Sequence, residues 1–149
     1  MNADFLPLNR LSETIIGSVF RVMNGLGAGF LERVYQNALA HELRKTGLEV
    51  AQQQIIMVHY DDVPVGTYSA DLLVENAVLV ELKAVKALDN THAAQCINYL
   101  KATALRLCLL LNFGNRAWKS SASPTAPDRQ KKEPRSGTND LRASMVNIS

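Results

Sequence analysis

The fold is decided by the stretch Asp71–Lys83, which has the sequence DLLVENAVLVELK. Runs of Leu and Val on both sides of Glu75–Ala77 predict two strands joined by a tight connection. Side chains alternate between the faces of a strand, so Glu81 and Lys83 point the same way. A carboxylate and an ammonium group on an otherwise apolar ribbon are costly unless a partner uses them. We therefore expect a polar site on one face of this hairpin.

The length of the loop decides whether two acids meet. Antiparallel partners have residue numbers with a constant sum, so a three-residue loop pairs Val74 with Val78. It then places Asp71 opposite Glu81, whereas a two-residue loop would place it opposite Val80 and turn the acids to opposite faces. The first register is favoured because it separates the side chains cleanly. It gives an apolar face of Leu72, Val74, Val78, Val80 and Leu82, and a mixed face of Asp71, Leu73, Leu79, Glu81 and Lys83.

The mixed face has the composition of a metal site. Cross-strand neighbours lie about 5 Å apart, so two carboxylates there would repel each other, and a divalent cation would turn that repulsion into binding. Asp71 and Glu81 would hold the ion, and Lys83 would face a phosphate or an attacking water. The alternative is a surface hairpin in which Glu81 and Lys83 pair with each other or with solvent.

The composition is that of an ordinary globular domain. The chain has 149 residues, 47% hydrophobic and 20% charged, enough for a real core. Residues 1–119 carry 11 basic and 11 acidic side chains, so charge alone gives little support for tight nucleic-acid binding. No apolar run reaches the roughly 18 residues of a membrane span. Met1–Leu11 lacks the pattern of a secretory signal, which favours a cytoplasmic address. Cys96 and Cys108 form no CxxC pair and are expected to be buried, reduced thiols.

The periodicity predicts an α/β fold in the order α-α-β-β-β-α-β, with helices around a mixed central sheet. Apolar residues at steps of three and four predict helices at about 11–23, 30–46 and 90–103. Period-two segments predict strands at 50–60 with an extended continuation at 63–68, and at 70–74, 78–84 and 105–113. From Ser120 the chain has almost no large apolar groups, so 120–149 is expected to be a disordered tail.

A second group of candidate residues lies at the start of the second helix. Gly29, Glu32 and Tyr35 are spaced by three and form one stripe. Gly29 would let a backbone or a ligand come close, and Glu32 is a candidate further metal ligand or water-orienting acid. Alternatively, Glu32 only interacts with the helix dipole, and Tyr35 only belongs to the core.

A similar stripe, His92, Gln95 and Tyr99, lies on the later helix. Its polar groups could hydrogen-bond to the metal site, a phosphate or a base edge, with His92 as a possible ligand. Polar contacts between helices are the alternative.

These residues match a known pattern. The segment Gly29–Tyr35, GFLERVY, carries the signature after which the GxxExxY protein family is named. The chain also resembles that family in Tyr68–Val74, Val80–Val85, His92–Thr103 and Leu111–Gly114. The similarity covers about residues 9–118. The family looks like a small branch of the PD-(D/E)XK nuclease-like superfamily.

The resemblance implies a single domain with a restriction-endonuclease-like core in residues 1–119. It implies that Asp71 and Glu81 bind magnesium, or manganese in its place, and that Lys83 assists the attacking water. Glu32 would be the acid contributed by the first core helix. The polar helix motif after the catalytic strand would consist of Gln95 and Tyr99.

Two departures from the family pattern stand out. Ala70 takes the place of the proline that precedes the aspartate in the superfamily name. Family members look as though they continue from the Asn-Phe-Gly turn into a further basic, apolar strand. Here Arg116–Lys119 begins such a strand and the Ser/Pro-rich tail then takes over, which could leave one sheet edge incomplete.

The function expected from this pattern is a magnesium-dependent phosphodiesterase that hydrolyses nucleic acid, DNA or RNA. The alternative is a non-catalytic nucleic-acid- or protein-binding module that keeps the nuclease-like fold, which the balanced charge favours. A third interpretation is a purely structural domain. No membrane partner is expected, and the sequence leaves the oligomeric state open.

Overall fold

The computed structural model describes residues 8–114 and, for the backbone alone, residues 142–147. The helices are α1 (Leu8–Leu26), α2 (Glu32–Lys45) and α3 (Asn90–Ala102). The strands are β1 (Val50–Tyr60), β2 (Val63–Val74), β3 (Val78–Lys83), β4 (Leu107–Asn112) and β5 (Arg142–Asn147). They form one sheet in the order β1-β2-β3-β4-β5, antiparallel from β1 to β3 and parallel from β3 to β5. The predicted α/β fold, a mixed sheet flanked by helices, is confirmed.

Apolar cores lie on both faces of the sheet. One core packs α1 and α2 against the face that carries Leu72, Val80 and Leu82. The other packs α3 against the face that carries Leu79 and Leu110. All six residues of β4 are buried, as expected for a strand with parallel pairing and both faces covered. None of the helices within 8–114 is long and apolar enough to cross a membrane.

The two cysteines lie in the core on the α3 side, where both are buried free thiols, as the sequence predicts. A hydrogen bond with Cys96 and burial raise the pKa of the Cys108 thiol. Cys108 therefore behaves as a packing group rather than as a reactive thiolate.

The predicted hairpin register is confirmed. Val74 pairs with Val78, and Leu72 pairs with Val80. The face predicted to be uniformly apolar packs under α1 and α2, and Leu79 on the mixed face packs under α3.

The alternation of side chains between the two faces is interrupted at Asp71. Ala70 and Leu73 both pack on the α3 side, although residues three apart in a regular strand face opposite ways. The pairing of β1 with β2 skips Gln53 and Asp71, and Gln53 adopts a left-handed φ of 54°. Such an irregularity twists and re-aims a strand. It allows the Tyr68 ring to contact Tyr99 of α3.

The strand β5 corrects part of the tail prediction. Residues 142–147 pair in parallel with β4, from Leu107 opposite Arg142 to Asn112 opposite Asn147. Composition predicted disorder for 120–149 because that argument considers only the local segment. A buried strand with an open edge needs backbone partners, and this short segment supplies them from far along the chain. The remaining tail residues and the strand expected to begin at Arg116–Lys119 lie outside the described residues, so the domain boundary at 119 stays a prediction.

The end of β4 holds the loop that follows β3. The amide of Asn112, fully buried, accepts a hydrogen bond from the Val85 N–H (3.1 Å) and donates one to the Val85 carbonyl (2.9 Å). Gly114 lies against this loop so closely that a Cβ would collide with the backbone of Ala84 and Val85. The close approach of these two segments fixes the position of the end of β3, where Lys83 lies.

The Gly114→Ala substitution is expected to lower the free energy of unfolding by about 2 kcal/mol or more, because backbone atoms cannot move aside as a flexible side chain can. The matched control is Gly25→Ala in α1, where a Cβ meets nothing within 4 Å. That change is expected to stabilise the protein by about 0.5–1 kcal/mol, since alanine favours the helix. Urea unfolding of both variants measures the difference, and equal stabilities would contradict the close approach.

Candidate active site

Asp71 on β2 and Glu81 on β3 each accept a hydrogen bond from a backbone N–H of the other residue's strand. The Asp71 N–H donates to Glu81 Oε1 at 3.0 Å, and the Leu82 N–H donates to Asp71 Oδ2 at 2.8 Å. Regular pairing of β2 with β3 ends at Leu72 and Val80. From that point, two carboxylate–backbone hydrogen bonds hold the strands together in place of the backbone ladder. The structure therefore brings the two predicted metal ligands together.

Burial disfavours the charged forms of both acids, and the charge of Asp71 also disfavours that of Glu81. Glu81 is only 4% exposed. Burial, and next the charge of Asp71, raise its pKa from 4.5 to about 8. Burial also raises the pKa of Asp71, against the hydrogen bond from the Leu82 N–H, which lowers it. Acids perturbed in this way by desolvation and a like charge are typical of functional sites.

Lys83 and Glu32 lie on the border of the acid pair. The positive charge of Lys83, half-buried at the end of β3, lowers the pKa values of Asp71 and Glu81, whereas the charge of Glu32 raises them. Glu32 is exposed, and its Oε1 accepts a hydrogen bond from the Ala84 N–H at 3.0 Å. This bond ties the first turn of α2 to the end of β3. Lys83 and Glu32 are thus within electrostatic reach of the pair.

Two glutamines that the sequence analysis missed hold Asp71 from the other side. Gln36 Nε2 of α2 donates to the Asp71 carbonyl at 3.1 Å, and Gln53 Nε2 donates to Gln36 Oε1 at 2.9 Å. Gln53 also accepts a hydrogen bond from the Ser69 hydroxyl at 2.8 Å, and hydrogen bonding from Gln53 helps to lower the pKa of Asp71. The only signal available in the sequence was the polar run Gln52–Gln54 inside an apolar strand.

Gly29 and Tyr35 support the site instead of lining it. The Tyr35 ring is buried and stacks on Phe113 with centroids 4.6 Å apart. Its hydroxyl donates to the Gly27 carbonyl (2.7 Å) and accepts from the Phe30 N–H (3.2 Å). Gly29 has a φ of 104°, and no atom lies within 4 Å of where its Cβ would be. The glycine is therefore required by backbone conformation, and no backbone segment makes the close approach that the sequence suggested.

The three polar residues predicted on α3, His92, Gln95 and Tyr99, have different surroundings. Gln95 Nε2 donates to the Tyr99 hydroxyl at 2.8 Å. Burial, and next the charge of Glu81, raise the pKa of Tyr99 to about 12, which links this pair of side chains to the acids. His92 instead completes a capping box with Asp89 at the start of α3, where its Nδ1 accepts from the Asp89 N–H. This contact favours a structural role for His92.

A family model described as the PD-(D/E)XK nuclease superfamily matches residues 9–123. The chain belongs to the PD-(D/E)XK nuclease superfamily. No curated protein matches it. No solved structure matches it either. The acid pair on β2 and β3 and the lysine two residues after the second acid have the residue types of the motif that names the superfamily.

The carboxylate oxygens of Asp71 and Glu81 suit a hard divalent cation such as magnesium. PD-(D/E)XK nucleases generally use divalent metals. Magnesium is commonly bound by one or two carboxylates and keeps several waters. Asp71 and Glu81 provide two carboxylates whose repulsion a cation would relieve. Within residues 8–114, no group of three or more His, Cys, Asp and Glu side chains lies close enough to hold a metal. Water and substrate would therefore have to complete the coordination.

The pH dependence of stability tests the burial of Glu81. The folded-state pKa of Glu81 lies above its ordinary value of 4.5, so the folded protein binds this proton more tightly than the unfolded chain. The resulting stabilisation is complete below pH 4.5 and is lost as the pH rises through about 8. In metal-free buffer, the free energy of unfolding is expected to fall across this range by an amount on the order of 4 kcal/mol. The Glu81→Gln variant, which is neutral throughout, should show a much flatter profile in urea unfolding.

The control is Glu13→Gln, a change at an exposed position of α1. Its profile should follow that of the wild type. If Glu81→Gln and wild type lost stability equally with rising pH, Glu81 would not be the buried acid described here.

Proposed function

We propose that this protein is a magnesium-dependent nuclease that hydrolyses phosphodiester bonds in nucleic acid. The observation that carries the proposal is the pair of desolvated carboxylates, Asp71 and Glu81, held beside Lys83 at the end of β3. Membership of a nuclease superfamily supports it. We further propose that the chain belongs to the GxxExxY branch, because Gly29–Tyr35 carries that signature. A cytoplasmic address stays a prediction from the sequence.

The side chains divide the work of hydrolysis in this proposal. Asp71 and Glu81 hold the cation, which when bound supplies positive charge for the phosphate and lowers the pKa of water. Lys83 orients the attacking water or stabilises the negative charge that develops on the phosphate oxygens. The water oxygen forms the new bond to phosphorus, and the bond to the leaving sugar oxygen breaks. Glu32 keeps the end of β3 in place through Ala84.

Cleavage of labelled single-stranded DNA, duplex DNA and RNA in magnesium tests this mechanism. Asp71→Asn keeps an oxygen that can accept from the Leu82 N–H, so the strands should stay bridged while a metal-binding charge is lost. Asp71→Asn and Lys83→Ala are each expected to lower the cleavage rate by at least about 100-fold. Glu13→Gln, an exposed change far along the chain, should leave it unchanged. Variants that cleave every substrate as fast as wild type would refute the mechanism.

A non-catalytic binding module is the second candidate function. It is favoured by the balance of 11 basic and 11 acidic side chains in residues 1–119, since nucleases usually contact phosphates well beyond the active site.

Calorimetric titration with magnesium separates the two functions. The nuclease proposal expects binding by the wild type that is weakened about tenfold or more in Asp71→Asn. Glu13→Gln should bind like the wild type. No heat of binding at millimolar magnesium would favour the binding module.

A further inference from the structure

A groove of about 620 Å³ lies between the β1–β2 hairpin and α3. We call it the hairpin groove. It is lined on the hairpin side by Val58, His59 and Tyr68, and on the helix side mainly by Gln95, Asn98, Tyr99 and Lys101. The outer half of the hairpin extends beyond the core, and residues 61–69 are all exposed. The groove is therefore open to solvent along the hairpin.

The hairpin groove adjoins the acid pair. Tyr99 lines the groove, and its hydroxyl is influenced by the charges of Glu81 and Asp71. Tyr68 lies three residues before Asp71 on β2, a distance of about 10 Å along a strand. Tyr68 contacts Tyr99 on the α3 side of the sheet, and Tyr99 is within electrostatic reach of Asp71. A nucleic-acid strand with one phosphate at Asp71 and Glu81 could thus place the adjacent base in the hairpin groove.

The lining has the chemistry of a base-binding pocket. The Tyr68 ring is 51% exposed and meets Tyr99 at 5.6 Å with a tilt of 52°, so an open aromatic surface remains. Asn98 offers an amide that can hydrogen-bond to a base edge, and Lys101 offers a cation for a phosphate. Aromatic platforms combined with basic groups are how proteins bind single strands. The volume lies within the range of small-ligand pockets, about 300–1,000 Å³.

We propose that the hairpin groove binds an unpaired base of a single-stranded nucleic acid, next to the phosphate held at the acid pair, with Tyr68 as its stacking platform. The inference rests on the proposed nuclease function, because it assigns the substrate class of the same site. A base inside a duplex has both of its faces stacked on neighbours, so it can enter the groove only when unpaired or flipped out. Single strands are therefore preferred over duplexes of the same sequence.

Binding of a fluorescent single-stranded oligonucleotide in metal-free buffer tests the groove separately from catalysis. Tyr68→Ala is expected to weaken binding about tenfold, in the range found for loss of one stacked base. Tyr68→Phe, which keeps the ring, should bind like the wild type. Tyr60→Ala is the matched control, since Tyr60 is an exposed tyrosine of the same hairpin that does not line the groove. The duplex should bind more weakly than the single strand.

The outcomes separate the two proposals. Equal binding by Tyr68→Ala and Tyr60→Ala would overturn the groove assignment even if the protein cleaved nucleic acid. Equal affinity for single strands and duplexes, or no binding at about 100 µM, the weak end of non-specific affinity, would also overturn it. Loss of binding in Tyr68→Ala alone, in a protein that cleaved nothing, would retain the groove and remove the nuclease function. Thermal melting of each variant verifies that the exposed substitutions leave the fold intact.

Discussion

The hydrogen bond from the Asp71 N–H to the Glu81 carboxylate replaces a sheet hydrogen bond, and the rest of the site depends on it. Asp71 is skipped by the regular pairing on both of its sides. Its N–H donates to Glu81, and its carbonyl accepts from Gln36. These two side chains therefore provide the backbone hydrogen bonds that neighbouring strands provide elsewhere in the sheet. A buried backbone group needs such a partner. The chain therefore places a polar constellation at a point where its own ladder opens.

The buried acid pair lowers the stability of the protein, and the surrounding fold holds the pair in place. Two acids desolvated side by side favour protonation, and Gln53 beside them adopts a φ of 54° that a non-glycine residue rarely takes. Unfavourable features of this kind are found at functional sites when the neighbouring structure enforces them. Here the enforcement comes from cores on both faces of the sheet and from a loop fixed by Asn112. A cation would remove the main source of the conflict, the repulsion between Asp71 and Glu81.

The same irregularity shapes the surface next to the site. Because the alternation of side chains is interrupted at Asp71, the outer part of β2 turns Tyr68 towards α3. In a perfectly regular strand, Tyr68 and Leu73 would lie on opposite faces, yet both lie on the α3 side. The interruption at Asp71 therefore lies beside the acid pair, and a second irregularity, a register shift between Val58 and His59, lies in the lining of the adjoining groove. The α3 residues Gln95 and Tyr99 are shared between them, since they line the groove and Tyr99 is influenced by Glu81.

The sequence alone determined the order of elements up to β4 and the register of the β2–β3 hairpin, because the period of apolar residues and the length of a loop are local properties. It therefore also determined that Asp71 and Glu81 meet beside Lys83. The tertiary structure decided what depends on distant partners. Gln36 and Gln53 became part of the site, His92 became a cap, and residues 142–147 became a strand, because in each case the hydrogen-bonding partner or open edge exists only after the chain has folded.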